Sequence, residues 1–178
     1  MKKVTLHNKR FEIFITDTEI ASIVNSIANQ INSSDVEAPL FIAVMNGSFL
    51  FAADLMRNIT IPNTEISFIK LSSYIGTKTS GEVKQLIGIN KSIAGRNVII
   101  LEDIVDTGIT VNNIINLMKK EQVNNIKIAT LLFKSNAYKE SHKIDYIGKS
   151  IANDFVLGYG LDYNELGRKL KHIYKLKT

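Results

Sequence analysis

The apolar residues of this chain fall into short blocks whose spacing predicts alternating strands and helices. Residues 3–7 and 10–15 have the length and apolar content of two short strands. Residues 16–19 (TDTE) have the pattern of a helix capping box. The apolar positions behind it recur at helical spacing: Ile20, Ile23, Val24, Ile27 and Ile31. A continuous apolar run at 40–45 then predicts a strand that is buried on both faces.

The rest of the chain continues this alternation, which indicates one fold class. The further predicted elements are a helix at 49–57, a strand at 64–71, a strand at 84–89, a strand at 97–101, a helix at 111–120 and a strand at 126–133. After residue 145 we expect short strands and turns. This order is typical of an α/β fold with a central, mainly parallel sheet flanked by helices. No linker or repeat interrupts it, so we expect residues 1–178 to form a single domain.

The composition excludes several kinds of chemistry. The chain of 178 residues has no Cys, which excludes a disulfide framework, a Cys-ligated zinc site, an iron–sulfur cluster and a thiol nucleophile. Its apolar content of 45% with 22% charged residues is ordinary for a globular protein. No apolar run reaches the length of a membrane span or of a signal peptide. We therefore expect a cytoplasmic protein without a membrane partner.

The net charge of +5 comes from the C-terminal end of the chain. Residues 168–178 contain five basic and no acidic residues, and the rest of the chain has 17 of each. A basic segment of this kind has two interpretations, a solvated terminal face or a nucleic-acid surface. We favour the solvated face and expect no nucleic-acid partner.

The most informative segment is the end of the strand predicted at 97–101. Two adjacent carboxylates, Glu102 and Asp103, follow it, and a loop from Asp106 to Thr110 leads into a helix. Ligands of open α/β sheets bind beyond the carboxyl ends of the strands. The loop offers backbone N–H groups, hydroxyls and a helix N-terminus, which suit one phosphate group. The carboxylates suit vicinal hydroxyls or a hard cation such as Mg²⁺.

A simpler interpretation of the same segment is an acidic turn in which Asp106 or Thr107 caps the helix. Three carboxylates within five residues favour a binding site instead, because clustered negative charge is costly unless something positive binds there. The segment lacks the Gly-Lys-Ser/Thr of a P-loop and the Gly-x-Gly-x-x-Gly of a dinucleotide site.

The sequence around this acidic segment resembles that of a known family. Residues 101–110 (LEDIVDTGIT) resemble the phosphoribosyl-pyrophosphate (PRPP) motif of type I phosphoribosyltransferases. Five segments in order, between about residues 40 and 175, resemble the hypoxanthine (hypoxanthine-guanine) phosphoribosyltransferases. The resemblance implies the type I fold with a small hood built from the chain ends. It also implies a Mg²⁺-dependent homodimer or homotetramer that transfers the phosphoribosyl group of PRPP to N9 of hypoxanthine or guanine.

The resemblance assigns roles to the acidic segment. Glu102 and Asp103 would hold the ribose hydroxyls directly or through Mg²⁺, and Asp106 would also bind PRPP and accept the N7 proton of the purine. The 5′-phosphate would be bound by Thr107, Gly108, Ile109 and Thr110. Relatives often carry Lys in place of Ile109. Because the loop acts mainly through its backbone, we expect this change to be tolerated.

A second set of residues would bind pyrophosphate. Residues 45–49 (MNGSF) resemble the first pyrophosphate loop, in which a non-proline cis peptide is characteristic. Asn46 and Gly47 are its binding residues, and Arg168 is the cation that contacts pyrophosphate. Many relatives have a basic residue in place of Asn46, so this chain has one positive charge fewer there. Taken alone, Asn46-Gly47 is also typical of an ordinary turn.

The polar stretch 72–81 resembles the mobile loop that closes over the substrates in this family. Ser73 and Tyr74 would belong to the pyrophosphate site. A closing lid excludes water from a developing ribosyl cation. The same composition is also typical of a surface hairpin tip.

Four residues would bind the purine. Lys134 would donate to O6, which favours a 6-oxopurine over adenine. Phe155 would stack on the ring, the Val156 backbone would contact its edge, and Asp162 would accept from the 2-amino group of guanine through its carbonyl. The implied Mg²⁺ ligands are Glu102, Asp103 and Asp162. Without the resemblance, Lys134 is typical of a solvated lysine, Phe155 of a core residue and Asp162 of a turn.

Other functions stay open at this stage. Another 6-oxopurine, such as xanthine, is the nearest alternative, and Lys134 with Phe155 argues against adenine or pyrimidine. A different class would be a regulator that senses PRPP and binds nucleic acid through its basic tail. A chain of 178 residues leaves little room for an added nucleic-acid module.

Overall fold

The structure is a computed structural model that describes residues 3–72, 84–89 and 91–177. Its strands are β1 (Lys3–Leu6), β2 (Lys9–Ile15), β3 (Leu40–Val44), β4 (Glu65–Ser72), β5 (Lys84–Ile87), β6 (Asn97–Val105), β7 (Asn125–Phe133), β8 (Tyr146–Ser150), β9 (Val156–Leu157) and β10 (Ile173–Leu176). Its helices are α1 (Asp17–Asn32), α2 (Phe49–Asn58) and α3 (Ile109–Lys120). No helix in these ranges is both long and apolar enough to cross a membrane.

Helix α1 begins where the capping box predicts. The Glu19 backbone N–H donates to Thr16 Oγ1 at 3.2 Å, and the Thr16 N–H donates to Glu19 Oε2 at 2.8 Å. These bonds satisfy N–H groups that have no partner within the helix. The apolar positions at helical spacing lie on one face, where Ile20 and Ile27 are buried. The predicted helix and its start are confirmed.

A six-stranded sheet in the order β5-β4-β3-β6-β7-β8 forms the centre of the molecule. Within this sheet β4, β3, β6, β7 and β8 pair in parallel, and β5 pairs antiparallel with β4. Alternate residues of β3 enter different cores. Phe41 packs in the cluster that contains α1 and α2, and Ile42 packs in the cluster that contains α3. This two-sided cover explains the continuous apolar run and confirms the predicted α/β fold.

A second, antiparallel sheet in the order β1-β2-β10-β9 joins the two ends of the chain. It forms the hood that the resemblance implies. Phe11, Leu157 and Tyr174 are buried in its small core. Two-stranded hairpins are marginal in water, so β1 and β2 depend on β10 and on this core for their stability. The prediction of short strands and turns after residue 145 is also confirmed.

The structure corrects the boundaries around the acidic segment. Strand β6 continues to Val105, because its pairing with β7 extends to Val105 opposite Phe133. Glu102 and Asp103 therefore lie within the strand and not after it. Helix α3 begins at Ile109, two residues before the predicted start, and its N-cap is Gly108 in a left-handed conformation. The alternative in which Asp106 or Thr107 caps this helix is wrong.

Candidate active site

The carboxyl ends of three neighbouring parallel strands bring the predicted site residues together. Asn46 and Gly47 follow β3, Asp106 follows β6, and Lys134 follows β7. These strands are adjacent in the sheet, so their carboxyl ends meet at one edge. Ser73 and Tyr74 lie outside the described residues.

The segment after β6 encloses a small cavity of about 80 Å³. Glu102 and residues 104–111 line it. Ligand pockets for whole small molecules are several times larger, about 300–1,000 Å³. The first N–H groups of α3 have no partner within the helix, and the helix dipole is positive at this end. The cavity therefore suits one small anion such as a phosphate group. The Ile109 side chain is exposed, so it leaves the backbone of the loop free to bind.

Asp106 and Lys134 form an ion pair at the edge of this region. The Lys134 ammonium donates to Asp106 Oδ2 at 2.7 Å. The Lys134 side chain is 11% exposed, whereas that of Asp106 is 46% exposed. A buried ammonium needs an acceptor, which Asp106 supplies here. The interpretation of Lys134 as a solvated lysine is wrong, and the pair offers a donor and an acceptor side by side to a ligand.

Glu102 and Asp103 point to different sides of β6, as successive residues of a strand do. Glu102 is buried and lines the phosphate-sized cavity. Burial raises the pKa of Glu102 well above its usual value, and the neighbouring Asp103 adds to this shift. Its Oε1 atom has no hydrogen-bond partner among the described residues. A carboxylate in this environment is stabilised by a donor or a cation from a ligand.

Asp103 lies on the other side, against the loop that follows β3. Burial raises the pKa of Asp103 to about 6, against the opposing effect of the Ile104 N–H bond at 2.9 Å. A Cβ atom on Gly47 would come within 1.8 Å of Asp103 Oδ2, so the loop backbone runs directly against the carboxylate. The Met45–Asn46 peptide in this loop is cis, as the resemblance implies.

The three carboxylates predicted as Mg²⁺ ligands do not form one cluster. In the described ranges, no three His, Cys, Asp or Glu side chains are grouped to hold a metal ion. Asp162 is close enough to raise the pKa of Asp103. Mg²⁺ is commonly held by one or two carboxylates together with substrate phosphates. This pair of neighbouring carboxylates, one of them buried, has the oxygen ligands that such a cation prefers, and the Arg168 guanidinium already offsets their repulsion in part.

The hood contributes an aromatic side chain and an arginine. Phe155 is 46% exposed, so the interpretation as a core residue is wrong. Its ring meets the Tyr163 ring edge-on, with centroids 5.3 Å apart. The backbone of Val156 pairs with β10. Asp162 is a turn residue, since it accepts from the Glu165 N–H at 2.8 Å, and it also holds Arg168 Nη2 at 2.8 Å.

The basic tail has specific contacts, so it is not a uniformly solvated cluster. The Arg168 side chain is mostly buried, and its Nη1 donates to the Gly160 carbonyl at 3.0 Å. Lys171 pairs with Asp17 at the start of α1, at 2.8 Å. Lys175 lies over the Phe14 ring, 5.3 Å from its centroid. The charge excess of the tail is therefore divided between the hood, α1 and the site.

Two tyrosines that support the candidate site carry no signal in the sequence. Tyr163 packs against Phe155, and the Lys9 ammonium lies 5.3 Å from the centroid of the Tyr163 ring. Tyr159 donates through its hydroxyl to Asp54 at 2.6 Å. No local pattern predicts these contacts. Tyr159 and Asp54 lie 105 positions apart along the chain, and the contact of Tyr163 with Phe155 depends on how the hood folds.

Comparisons with known proteins agree with this geometry. The family described as "Phosphoribosyl transferase domain" matches residues 15–164. The hypoxanthine-guanine phosphoribosyltransferase of Staphylococcus aureus is 37% identical over 174 residues, which cover 97% of each chain.

Solved structures agree as well. A hypoxanthine-guanine phosphoribosyltransferase of Bacillus anthracis, with HEPES in its active site, superposes with a TM-score of 0.86 at 36% identity, covering 93% of this chain and 98% of that one. A mutant hypoxanthine phosphoribosyltransferase of Trypanosoma cruzi, in a ternary complex with substrates, superposes with a TM-score of 0.83 at 34% identity. The match covers 93% of this chain and 94% of that one.

These matches cover most of the chain, and they confirm the resemblance that the sequence motifs indicate. The chain belongs to the phosphoribosyltransferase family. Within that family it is similar, over nearly its whole length, to hypoxanthine-guanine phosphoribosyltransferases.

Proposed function

We propose that this phosphoribosyltransferase transfers the 5-phosphoribosyl group of PRPP to N9 of hypoxanthine, guanine or both. The products are IMP or GMP and pyrophosphate. The observation that carries the proposal is the buried Lys134 ammonium paired with Asp106, beside a cavity of phosphate size at the carboxyl ends of β6 and β7. This arrangement supports recognition of a base and of a phosphate within one site.

The segment after β6 would bind the phosphoribosyl part of PRPP. Backbone N–H groups of residues 107–110, together with the Thr107 and Thr110 hydroxyls, would hold the 5′-phosphate at the N-terminus of α3. Glu102 borders this region and Asp103 faces the loop after β3, and both would accept hydrogen bonds from the ribose hydroxyls. A bound hydroxyl would give the buried Glu102 carboxyl the partner that it lacks among the described residues.

The purine would lie between the sheet edge and the hood. The exposed Phe155 ring offers a surface for stacking, and the Val156 backbone would contact the edge of the base. Lys134 would donate to the O6 atom of a 6-oxopurine. Adenine presents an amino group at that position and would leave the ammonium facing a donor, so discrimination of roughly 10⁴-fold follows from polar mismatch of this kind.

The reaction breaks the bond between C1′ and the pyrophosphate oxygen, and pyrophosphate leaves with the electron pair. N9 of the base attacks C1′ from the opposite face, and the N7 proton passes to Asp106 Oδ. No side chain is needed as a nucleophile. The Arg168 guanidinium would stabilise the charge that develops on pyrophosphate.

Asp103 and Asp162 are the residues best placed to hold Mg²⁺, whereas Glu102 faces the other side of β6 and would bind a ribose hydroxyl. When bound, Mg²⁺ supplies electrostatic stabilisation of the leaving pyrophosphate. Arg168, held by Asp162, would orient toward the same charge.

We also propose that the chain is a single domain that acts as a homodimer or homotetramer. Ile66 and Phe68 support self-association, because they are exposed apolar residues on the same face of β4. The cytoplasmic location stays a prediction.

A comparison of bases tests this function. We expect kcat/KM with saturating PRPP and Mg²⁺ to be higher for hypoxanthine or guanine than for adenine by roughly 10⁴-fold. The K134M variant, which keeps the length of the side chain, should lose most of this preference. A preference for adenine would overturn the proposal. Oligonucleotide binding without consumption of PRPP would instead support the regulator.

A further inference from the structure

The turn at residues 158–160 of the hood lies directly on the loop that follows β3. A Cβ atom on Gly160 would come within 2.0 Å of the Gly47 carbonyl oxygen, and Gly160 has a φ of +99°. A Cβ atom on Gly47 would in turn meet the Asp103 carboxylate. Only glycine allows both approaches. Asp103, Gly47 and Gly160 therefore form a continuous contact, which we name the glycine stack.

Arg168 holds the outer end of the glycine stack. The Gly160 N–H donates to the Arg168 carbonyl at 2.9 Å, and Arg168 Nη1 donates to the Gly160 carbonyl at 3.0 Å. The backbone and the guanidinium of Arg168 are thus both attached to Gly160. Asp162 and Glu165 hold the other guanidinium nitrogen at 2.8 and 3.2 Å, and the bond to Gly160 links this group to the Gly47 loop.

Tyr159 attaches the same turn to helix α2. Its side chain is buried, at 7% exposure, and its hydroxyl donates to Asp54 Oδ2 at 2.6 Å. Arg57 holds the other oxygen of this carboxylate at 2.6 Å. Helix α2 begins at Phe49, directly after the loop that contains Gly47. Burial and the bond to Asp54 raise the pKa of Tyr159, so its hydroxyl stays protonated and able to donate at neutral pH.

We propose that Tyr159 is a positioning residue. By donating to Asp54 it holds Gly160 on Gly47, and this contact aligns Arg168 with the pyrophosphate loop. The proposal rests on the proposed function, in which Gly47 and Arg168 bind pyrophosphate. Tyr159 itself contacts no substrate. It acts through the glycine stack.

A merely structural role for Tyr159 predicts a different outcome. Loss of a buried hydroxyl would then lower the melting temperature and change the affinities for both substrates by the same factor. The positioning role predicts a selective loss at the pyrophosphate side of the site, because the purine side depends on Lys134 and Phe155.

The test removes the hydroxyl and keeps the ring. Y159F should raise KM for PRPP, and KM for pyrophosphate in the reverse reaction, by about tenfold, which corresponds to the upper end of the net strength of one neutral hydrogen bond and suits a bond to a charged acceptor. Its KM for hypoxanthine should stay within twofold of wild type. D54N keeps an acceptor for the phenol and should retain most of the wild-type affinity for PRPP. D54L should raise KM as much as Y159F does, and the double variant should have the same KM as either single variant.

Y146F is a control for removing a buried phenol hydroxyl away from the site, on β8, where the hydroxyl has no hydrogen-bond partner among the described residues. It should leave every KM unchanged. Calorimetric titration with Mg²⁺-pyrophosphate gives a readout that does not require turnover, and binding to Y159F should be about tenfold weaker than to wild type.

The outcomes separate the two proposals. If wild type binds pyrophosphate and turns over no purine, the proposed function is overturned. If Y159F then binds pyrophosphate more weakly than wild type, the positioning role is still supported. Equal pyrophosphate affinities of wild type and Y159F, equal changes in all three KM values, or failure of wild type to bind pyrophosphate would overturn the positioning role.

Discussion

The 2.7 Å pair of Asp106 and Lys134 shows how one residue acquires a role from its surroundings. The backbone of Lys134 is fixed by its N–H bond to the Val105 carbonyl, at the point where β6 and β7 end together. Its ammonium is buried, while Asp106 remains half-exposed and accessible to a ligand. In the proposed reaction this carboxylate takes the N7 proton of the purine.

This geometry predicts the effect of removing the proton acceptor. D106N should lower kcat by roughly 10²–10⁴-fold, the usual contribution of a general base, because the amide cannot take the N7 proton. Steady-state kinetics with hypoxanthine would measure it. D35N, which changes an exposed carboxylate far along the chain, is the control. Turnover of D106N close to wild type would contradict the role of Asp106.

Single residues were predictable to different degrees. Glu102, Asp103 and Asp106 stand out in the sequence because acidic residues rarely cluster beside a buried strand. Lys134 and Phe155 have no such signal, since a lysine after a strand is usually solvated and a phenylalanine is usually in the core. Their burial and exposure depend on neighbours from distant parts of the chain.

At the scale of elements, the start of α1 is joined to the C-terminal segment. Lys171 pairs with Asp17 at 2.8 Å, and the Asp17 N–H donates to His172 Nδ1 at 2.9 Å. The hydrogen bond from Lys171 lowers the pKa of the Asp17 carboxyl, and its position in the first turn of a helix favours the charged form as well.

The lowered pKa of Asp17 makes this contact dependent on pH. Because the folded state favours the carboxylate, the stabilisation is complete well above the ordinary value of 3.8 and disappears as the pH falls through the lowered pKa. D17N should therefore lower the midpoint of urea unfolding slightly at pH 7, and the difference from wild type should shrink progressively as the pH falls below 3.8. A difference that persists unchanged at pH 3 would contradict the ionic origin of the contact.

Element boundaries were predicted well where periodicity is strong and poorly where charge interrupts it. The apolar run of β6 stops at Leu101, yet the strand continues to Val105 because β7 supplies hydrogen-bond partners for its backbone. Helix α1 was predicted correctly at its start because the capping box is a local signal. The extent of a strand depends on a neighbour that local sequence does not specify.

At the scale of the molecule, the site lies where the hood meets the edge of the central sheet. A ligand that spans both parts should stabilise the whole fold. At 100 times its Kd, IMP should raise the free energy of unfolding by about 2.7 kcal/mol, or the melting temperature by about 5–10 °C. Differential scanning calorimetry would measure the shift.

AMP is the matched control for this measurement, because it shares the phosphate and ribose and differs in the group at C6. At the same concentration it should give a much smaller shift, since Lys134 has no acceptor to donate to. Equal shifts with IMP and AMP would contradict the role of Lys134 in recognising the base.

The sequence by itself determined the order of the elements, the two-sided burial of the central strands and the acidic segment with the loop that follows it. These features arise from periodicity, capping and residue type, which act over a few neighbouring residues. Only the tertiary structure decided that Lys134 is buried, that Phe155 is exposed and that Tyr159 reaches Asp54, 105 positions away. Such contacts require the sheet edge, the hood and α2 to be brought together, because no local interaction determines which distant side chains become neighbours.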